Sequence, residues 1–293
     1  MQFSLNGYGA SATIDSTGGE LTGYRKNGIE YVWQGDPAYW AGHAPILFPV
    51  VGALKDGIIR MGGETYNIPK HGIARKREFT LEEKREDSAV FSLRPDAQSL
   101  IMYPYQFVLH VTQQLTENGF QTTYAVTNED KRDMPFCIGG HPAFRCPLQP
   151  YESFEDYLLL FEKNETVPAL YTDGGTLLRR DTAVNLVRDG NQIPLRYSDF
   201  DMDAFIMDGL ASRAVSLLHK VTGKGLRFAF DGFSALGVWT PPKKRAPFIC
   251  LEPWAGLPAL TDETGEFLDK PYVMVLKPGE TKQFQYAMEI IEG

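Results

Sequence analysis

Apolar and polar residues alternate along much of this chain with the two-residue period of β-strands, and this pattern limits the possible folds more than any other feature. It is clearest in FVLHVTQQLTENGFQTTYAVTN, residues 107–128, where two alternating runs rich in valine, threonine and aromatic residues flank Asn118 and Gly119. An Asn-Gly pair between two such runs is typical of a β-hairpin. The segment therefore predicts two antiparallel strands joined by a tight turn.

Similar short runs recur along the chain, separated by Gly, Asp, Pro or Asn residues that favour turns. They are AVFSLRP, AFIMDGL, AVSLLHKVT, GLRFAF, ALGVWT and YVMVLKP. Long amphipathic helical patterns are almost absent, and we expect helical turns only in connections such as SFEDYLLLFE. Many closely spaced short strands indicate a sandwich or a barrel. Because no linker-like or repetitive segment divides the chain, the sequence predicts an all-β protein in which residues 1–293 form a single large antiparallel β-sandwich domain.

Composition limits the partners and the location of such a domain. The chain has 293 residues, of which 43% are hydrophobic, so it is long enough to bury a large core. Its 29 basic and 37 acidic residues give a net charge of -8, which disfavours nucleic acid or an anionic membrane as the main partner. No basic leader with an apolar stretch begins the chain, and no apolar run has the length of a spanning helix. We expect a cytoplasmic protein, either a monomer or a homodimer.

The cysteines support the same expectation. Cys137, Cys146 and Cys250 are odd in number, widely spaced and set among apolar residues. A disulfide framework would require pairs at closer and more regular spacing, as found in small secreted domains. The sequence therefore predicts buried free thiols in a reducing compartment.

Four stretches place titratable groups beside residues that restrict the backbone. They are PKHGIARKREF, CIGGHPAF, DFDMDAFIMD and FICLEPWAGLP. The glycine pair and the proline around His141 indicate that its imidazole has a defined direction. Glu252 follows the apolar run FICL and precedes a proline and a tryptophan, an environment that raises the pKa of a carboxyl group and suits a general base. For either residue taken alone, a structural hydrogen bond is the commoner role.

Several other kinds of site are excluded by their missing motifs. The D-x-D-x-D spacing of residues 199–203 resembles the start of a calcium loop, but Ala204 and Leu210 stand where an EF-hand requires glycine and glutamate. Serine-hydrolase, dinucleotide and P-loop motifs do not occur. His71 and His141 lie 70 residues apart, and no helical pair of histidines indicates zinc. The sequence therefore predicts neither a metal site nor a cofactor.

Taken in this order, the four stretches resemble the aldose 1-epimerase, or galactose mutarotase, superfamily, and most closely its bacterial aldose-1-epimerase-like subgroup. The HGFAR, GGHPAF and EPW elements of that subgroup correspond here to HGIAR, GGHPAF and LEPWAGLP. APILFPVVGALKDG precedes the first element, and YPYQFVLHVTQQL lies between the first and the second. The similarity runs over most of the chain, from about Pro45 to the C-terminal strands. It implies a large antiparallel supersandwich that holds a sugar in a cleft of the sheet.

The resemblance also implies roles for individual residues. By motif position, His141 corresponds to the general acid of the family and Glu252 to its general base. His71 and Asp203 correspond to groups that hold sugar hydroxyls. A base that deprotonates the anomeric hydroxyl and an acid that protonates the ring oxygen are sufficient for mutarotation, so this chemistry needs no metal or cofactor.

Four further residues near these motifs have alternative interpretations. Arg75, in HGIAR, either contacts the substrate or holds its loop through a salt bridge, and Trp254 either stacks on a sugar or belongs to the core. Family members usually carry an arginine where this chain has Ala53. Lys55, two residues on and on the same side of an extended strand, is the candidate replacement. Because lysine lacks the planar fork of a guanidinium, this difference bears on substrate affinity and on activity.

Three functions follow from these residues. The first is an aldose 1-epimerase that acts on a free hexose such as galactose or glucose. The second is a hexose-6-phosphate 1-epimerase, in which the cations of KHGIARKR and Lys55 would bind the phosphate, although alternate residues of a strand would face away from it. The third, which Ala53 favours, is a sugar-binding or regulatory protein without catalysis. In each case the partner is a small-molecule sugar.

Overall fold

The computed structural model describes residues 1–293, with 47% of them in strands and 8% in helices. The strands, numbered in chain order, are β1 Gln2–Gly7, β2 Ala10–Asp15, β3 Glu20–Lys26, β4 Ile29–Glu30, β5 Ile46–Leu47, β6 Ile58–Met61, β7 Glu64–Asn67, β8 Thr80–Lys84, β9 Ser88–Leu93, β10 Phe107–Leu115, β11 Gly119–Asn128, β12 Met134–Phe136, β13 Ile138–Gly140, β14 Ala143–Arg145, β15 Tyr157–Phe161, β16 Ala169–Thr172, β17 Leu178–Val184, β18 Gln192–Pro194, β19 Phe205–Asp208, β20 Ala214–His219, β21 Gly225–Ala229, β22 Ala235–Trp239, β23 Phe248–Ala255, β24 Met274–Leu276 and β25 Thr281–Ile291. The helical segments are the α-helix α1 Ala97–Met102 and the 3-10 turns Lys55–Gly57, Ala74–Lys76, Phe154–Asp156, Tyr197–Phe200 and Phe267–Asp269.

Two large antiparallel sheets form the body of the molecule. One has nine strands in the order β18-β15-β20-β21-β25-β11-β10-β9-β8. The other has eight, in the order β17-β16-β19-β22-β23-β13-β5, with β14 also paired to β23. A four-stranded sheet, β1 to β4, and the pairs β6–β7 and β12–β24 complete the fold. This architecture confirms the predicted all-β antiparallel class.

The two large sheets face each other across a continuous apolar core of 76 buried residues. Phe144 on β14 and Phe228 on β21 meet across this core with ring centroids 5.5 Å apart. Tyr124 and Tyr286 from the nine-stranded sheet reach the backbone of β13 in the other sheet. Interdigitated side chains of this kind are characteristic of a β-sandwich.

The predicted hairpin is present as β10 and β11, which pair antiparallel from Phe107 opposite Asn128 to Leu115 opposite Phe120. The side chains on one face of the pair are buried, including those of Gln113 and Thr122, and most of those on the other face are only partly covered. The pair lies near the middle of the nine-stranded sheet, with β9 and β25 on its two sides. The alternation therefore reflects one face packed in the core.

The helical expectation for SFEDYLLLFE was wrong for its second half. Only Phe154–Asp156 forms a 3-10 turn, whereas Tyr157–Phe161 is strand β15, paired with β18 and β20. Three consecutive leucines satisfy both the helical and the strand period, so backbone pairing on two sides decides the outcome. The short helix α1 was not expected; its N-cap is Asp96, whose carboxylate accepts a 2.7 Å hydrogen bond from the backbone N–H of Ser99.

The three cysteines are buried free thiols, as predicted. None of the helices has the length and apolar character that crossing a membrane requires.

Candidate active site

A cleft of about 210 Å³ lies beside β13 and β23. Six of the seven residues predicted from the sequence to act in the site line it, and these are His71, Arg75, His141, Asp203, Glu252 and Trp254. Ala53 also lines the cleft, but Lys55 does not. The fold thus brings together side chains from four distant stretches of the chain.

His141 and Glu252 form the centre of this cleft. The Nε2 atom of His141, which follows β13, lies 3.3 Å from Oε2 of Glu252 on β23. The two strands are neighbours in the sheet, with Gly139 opposite Trp254. Because β13 and β23 pair directly, His141 and Glu252 lie side by side although they are 111 positions apart in sequence.

The glycine pair before His141 has a steric explanation. A Cβ atom on Gly139 would lie 2.7 Å from Cδ1 of Trp254, and one on Gly140 would lie 2.8 Å from Cε1 of Tyr286. Neither distance is compatible with a side chain, so only glycine lets β13 fit between the two rings. The backbone N–H of His141 then donates to the carbonyl of Pro45 at 3.0 Å, which sets the direction of the imidazole.

Three polar atoms in the cleft are buried without a hydrogen-bond partner. They are Nδ1 of His141, Oε2 of Glu252 and Nε1 of Trp254. An unpaired buried polar group costs free energy, and native proteins contain few of them. Three in one cleft are typical of a site built to bind a polar ligand.

Burial acts on the two central groups in opposite directions. It raises the pKa of Glu252 well above its usual range, an effect that Lys70 opposes and Asp203 reinforces. It lowers the pKa of His141 to about 3, with a further contribution from Lys70 and Arg75. Both shifts favour a neutral imidazole and a protonated carboxyl group. Transfer of one proton would convert this form into an imidazolium-carboxylate pair of the same net charge.

His71 has an unusual backbone, with φ of 67°. Its Nδ1 atom accepts a hydrogen bond from the backbone N–H of Gly52 at 3.2 Å, which leaves Nε2 as the protonated, donating nitrogen. Burial lowers the pKa of His71 well below its usual range, and the neighbouring His141 adds to this effect. His71 is therefore a neutral hydrogen-bond donor in this cleft.

Asp203 is held by two side chains. Its Oδ1 atom accepts a 2.7 Å hydrogen bond from Nε1 of Trp239, and its Oδ2 atom accepts a longer one, 3.5 Å, from Thr172. The residue has φ of 91° and follows the 3-10 turn Tyr197–Phe200. The positive φ turns the backbone sharply, and the carboxylate enters the cleft as an oriented acceptor.

Two tryptophans of the cleft were not predicted to act in the site. The ring of Trp40 stacks on the imidazole of His141 with centroids 5.0 Å apart and an interplanar angle of 25°. Trp239 meets the same imidazole edge-on, with centroids 5.6 Å apart. Trp40 lies in a connection without a recognisable motif, so its aromatic character was the only available signal. Phe144, by contrast, packs in the core.

The proposed replacement cation, Lys55, points elsewhere. Its ammonium group donates to the carbonyl of Thr261 at 3.0 Å, and the residue begins the 3-10 turn Lys55–Gly57. The argument that Lys55 shares a side with Ala53 required an extended strand, and the turn removes that condition. Lys55 therefore lies outside the cleft, and the expectation that it replaces the arginine of the family was wrong.

Two other cations occupy the cleft instead. Lys70 and Arg75 both line it, because HGIAR forms the 3-10 turn Ala74–Lys76 and not a strand with alternating faces. The ammonium group of Lys70 donates to the carbonyl of Gly175 at 2.7 Å. Arg75 forms no salt bridge to a carboxylate, so the expected alternative of a loop-holding ion pair is absent.

One group of side chains has the composition of a metal site. His141, Cys250 and Glu252 each place a donor atom within 4.8 Å of the other two. A metal would need the thiolate form of Cys250. Burial raises the pKa of this thiol well above its usual range, which favours the protonated form.

Comparison with known proteins identifies the family of this antiparallel β-sandwich. The family model for aldose 1-epimerase matches residues 1–289. Protein LacX (plasmid) from Lactococcus lactis subsp. lactis is 41% identical over 300 residues, covering 99% of this chain and all of that protein. The chain belongs to the aldose 1-epimerase family.

Solved structures show the same relationship. A galactose mutarotase related enzyme from Lactobacillus acidophilus superposes with a TM-score of 0.93 at 26% identity, covering 100% of this chain and 98% of the other. A galactose mutarotase-like protein from Lactobacillus casei ATCC 334 superposes with a TM-score of 0.92 at 30% identity, covering 99% and 100%. The family supports a carbohydrate epimerase or isomerase class for this protein.

Proposed function

We propose that this protein is an aldose 1-epimerase that interconverts the α and β anomers of a hexose in the cleft around His141. The observation that carries the proposal is the 3.3 Å separation of Nε2 of His141 and Oε2 of Glu252 in a polar cleft. Family membership supports the reaction type. A protein that only bound sugar would not need a buried acid beside a buried base.

The reaction moves two protons and leaves no net charge. In the imidazolium-carboxylate form, which burial disfavours relative to the neutral form, Glu252 takes the proton of the anomeric hydroxyl while His141 gives its proton to the ring oxygen. The ring opens, the bond between C1 and C2 rotates, and closure on the other face reverses both transfers. Each acid or base role typically contributes about 10²–10⁴-fold to the rate. Because the pair holds one proton before and after the cycle, no exchange with solvent is required.

The remaining predicted residues would hold the sugar. Nε2–H of His71 is a donor for a hydroxyl, and the carboxylate of Asp203 is an acceptor whose orientation Trp239 maintains. The N–H of Trp254 is buried without a partner and is available to a hydroxyl, and Arg75 supplies further donors. Lys55 has no part in the proposal.

A second candidate, a hexose-6-phosphate 1-epimerase, is favoured by one observation. Lys70 and Arg75 line the same cleft and Arg75 has no carboxylate partner, so both are placed to bind a phosphate by charge-assisted hydrogen bonds. Such binding would weaken with ionic strength. A neutral sugar would bind with little dependence on salt.

The test is anomer exchange, followed by NMR or polarimetry from freshly dissolved α-galactose, α-glucose and glucose 6-phosphate. We expect wild-type protein to accelerate exchange, and Glu252→Gln and His141→Asn each to lower kcat by roughly 10²–10⁴-fold. Glu165→Gln and His110→Asn are matched controls outside the cleft and should retain the rate. If wild-type protein accelerates the anomer exchange of none of these sugars, the epimerase proposal is contradicted and only a sugar-binding function remains.

A further pair of variants separates the two substrate classes. Arg75→Ala should abolish activity on glucose 6-phosphate if the phosphate is bound here, whereas activity on a free hexose, which would lose only hydrogen bonds to neutral hydroxyl groups, should fall much less. Arg77→Ala is the control in the same stretch, because Arg77 pairs with Asp96 at 2.8 Å outside the cleft. If Glu252→Gln and His141→Asn both retain full epimerase activity, the roles assigned to Glu252 and His141 are wrong, although the activity itself is present.

A further inference from the structure

A carboxylate of the N-terminal sheet contacts the segment that supports His141. Glu20 is the first residue of β3, and its Oε2 atom accepts a hydrogen bond from the backbone N–H of Ala44 at 2.8 Å. Ala44 lies directly before Pro45 and β5. Glu20 does not line the cleft, so it has no direct contact with a ligand there.

The residues on both sides of Ala44 bind the backbone around the histidine. The carbonyl of Pro45 accepts the N–H of His141 at 3.0 Å, and the carbonyl of His43 accepts the N–H of Ala143 at 2.9 Å. One residue further on, β5 pairs with β13 directly before the histidine. The segment from His43 to Pro45 thus sets the position of the backbone from which the imidazole projects.

The groups that shift the pKa of Glu20 include no lysine or arginine. The titratable groups that face it are Asp15 on β2, His43 beside its hydrogen-bond partner, Tyr124 on β11 and Tyr286 on β25. Burial raises the pKa of Glu20 to about 7, with a smaller contribution from Asp15. Burying this carboxylate costs free energy, and the hydrogen bond that it accepts from Ala44 in the segment 43–45 offsets part of that cost.

We propose that Glu20 is a positioning residue for His141: it holds the segment His43–Pro45, and through two backbone hydrogen bonds of that segment it orients the imidazole toward the substrate. This inference rests on the proposed epimerase function. The contact is built from three elements that are distant in sequence, namely β3, the start of β5 and the end of β13. A change at Glu20 would move the imidazole without touching the cleft.

The test compares Glu20→Ala, which removes the acceptor, with Glu20→Gln, which keeps one acceptor oxygen. We expect Glu20→Ala to lower kcat roughly 10- to 100-fold with KM changed less than about twofold, because small displacements of a reacting group are costly. Glu20→Gln should retain most of kcat.

Glu165→Ala is the matched control for a general loss of stability. Glu165 is a buried carboxylate that accepts the backbone N–H groups of Ser212 at 2.6 Å and Ala211 at 3.1 Å, away from the cleft. Its loss should lower the melting temperature while kcat is retained. Wild-type kcat in folded Glu20→Ala, or an equal loss of kcat in Glu165→Ala, would overturn the proposal.

A second readout is independent of the sugar reaction. Amide hydrogen exchange at His141 and Ala143 should become selectively faster in Glu20→Ala, because the carbonyl acceptors of these two N–H groups lose their support. In Glu165→Ala, exchange at these two amides should change no more than at other core amides. Faster exchange in Glu20→Ala, together with no epimerase activity in the wild-type protein, would sink the proposed function and retain the positioning contact. Unchanged exchange in Glu20→Ala would refute the contact itself.

Discussion

At the scale of single residues, the site combines groups that burial affects in opposite ways. The carboxyl group of Glu252 gains a proton relative to water, and the imidazole of His141 loses one. Each shift is unfavourable for an isolated group, yet together they give a pair that carries one proton and no net charge. Trp40 contacts the imidazole face-on and Trp239 contacts it edge-on. The same burial that prepares the pair for proton transfer lowers the stability of the fold.

The free-energy cost of burying the ionised form of Glu252 predicts how Glu252→Gln changes stability with pH. A raised pKa in the folded state means that stability is fully present below the unfolded value, near 4.5, and is lost as pH rises toward the folded pKa. Glutamine does not titrate, so the unfolding free energy of the variant relative to wild type should increase above pH 4.5, by up to about 1.4 kcal/mol per pH unit. Urea unfolding between pH 5 and pH 8 measures this difference. A difference that does not change with pH would contradict the raised pKa of Glu252.

At the scale of secondary-structure elements, the short strand β13 connects the site to the core. It has only three residues, yet it pairs with both β5 and β23 and packs against Tyr286 of the opposite sheet. Strands this short depend on their neighbours for position. The supports of β13, which include the contact from Glu20 to Ala44, therefore determine where His141 lies.

Gly140→Ala tests this dependence. The new Cβ atom would lie 2.8 Å from Cε1 of Tyr286 and 3.1 Å from the hydroxyl of Tyr124, so one of the elements must move. We expect a loss of about 1–3 kcal/mol of stability from overpacking, together with reduced epimerase activity. Gly23→Ala on β3, whose nearest neighbour would be 3.6 Å away, is the control. Equal stability of the two variants in chemical denaturation would show that β13 is not tightly held.

At the scale of the whole molecule, the two ends of the chain meet in one structure. Strand β25, the last in the chain, lies between β11 and β21 inside the nine-stranded sheet. Near the other end, Lys26 donates to the carbonyl of Glu117, and Asn27 donates to Glu292. One core of 76 residues draws on all of these elements. Contacts of such long sequence separation favour a single cooperative unit.

The predicted single domain can be tested by unfolding. We expect one transition when the chain is followed by far-ultraviolet circular dichroism and by tryptophan fluorescence, with the same midpoint for both. Limited proteolysis should yield no stable folded fragment. Two separate midpoints, or a folded fragment that retains one sheet, would show that the chain contains more than one domain.

Prediction from the sequence succeeded where the evidence was local. The hairpin of β10 and β11 was readable from alternation and one Asn-Gly pair, and the motifs around His141 and Glu252 identified the centre of the cleft. It failed for Tyr157–Phe161, where three leucines fit two periods, and for Lys55, where a turn replaced an assumed strand. In both cases the deciding interactions involve residues far away in sequence.

Strand periodicity, a property of neighbouring residues, was enough to predict an all-β antiparallel protein, and the resemblance of its motifs to a known family selected His141 and Glu252 as the candidate acid and base. Only the tertiary structure decided that Nε2 of His141 lies 3.3 Å from Oε2 of Glu252 and that Trp40 stacks on the imidazole. It also decided that Lys55 lies outside the cleft. It also connected Glu20 to the backbone that carries His141. Pairing and burial depend on contacts between distant segments, and no short stretch of sequence contains them.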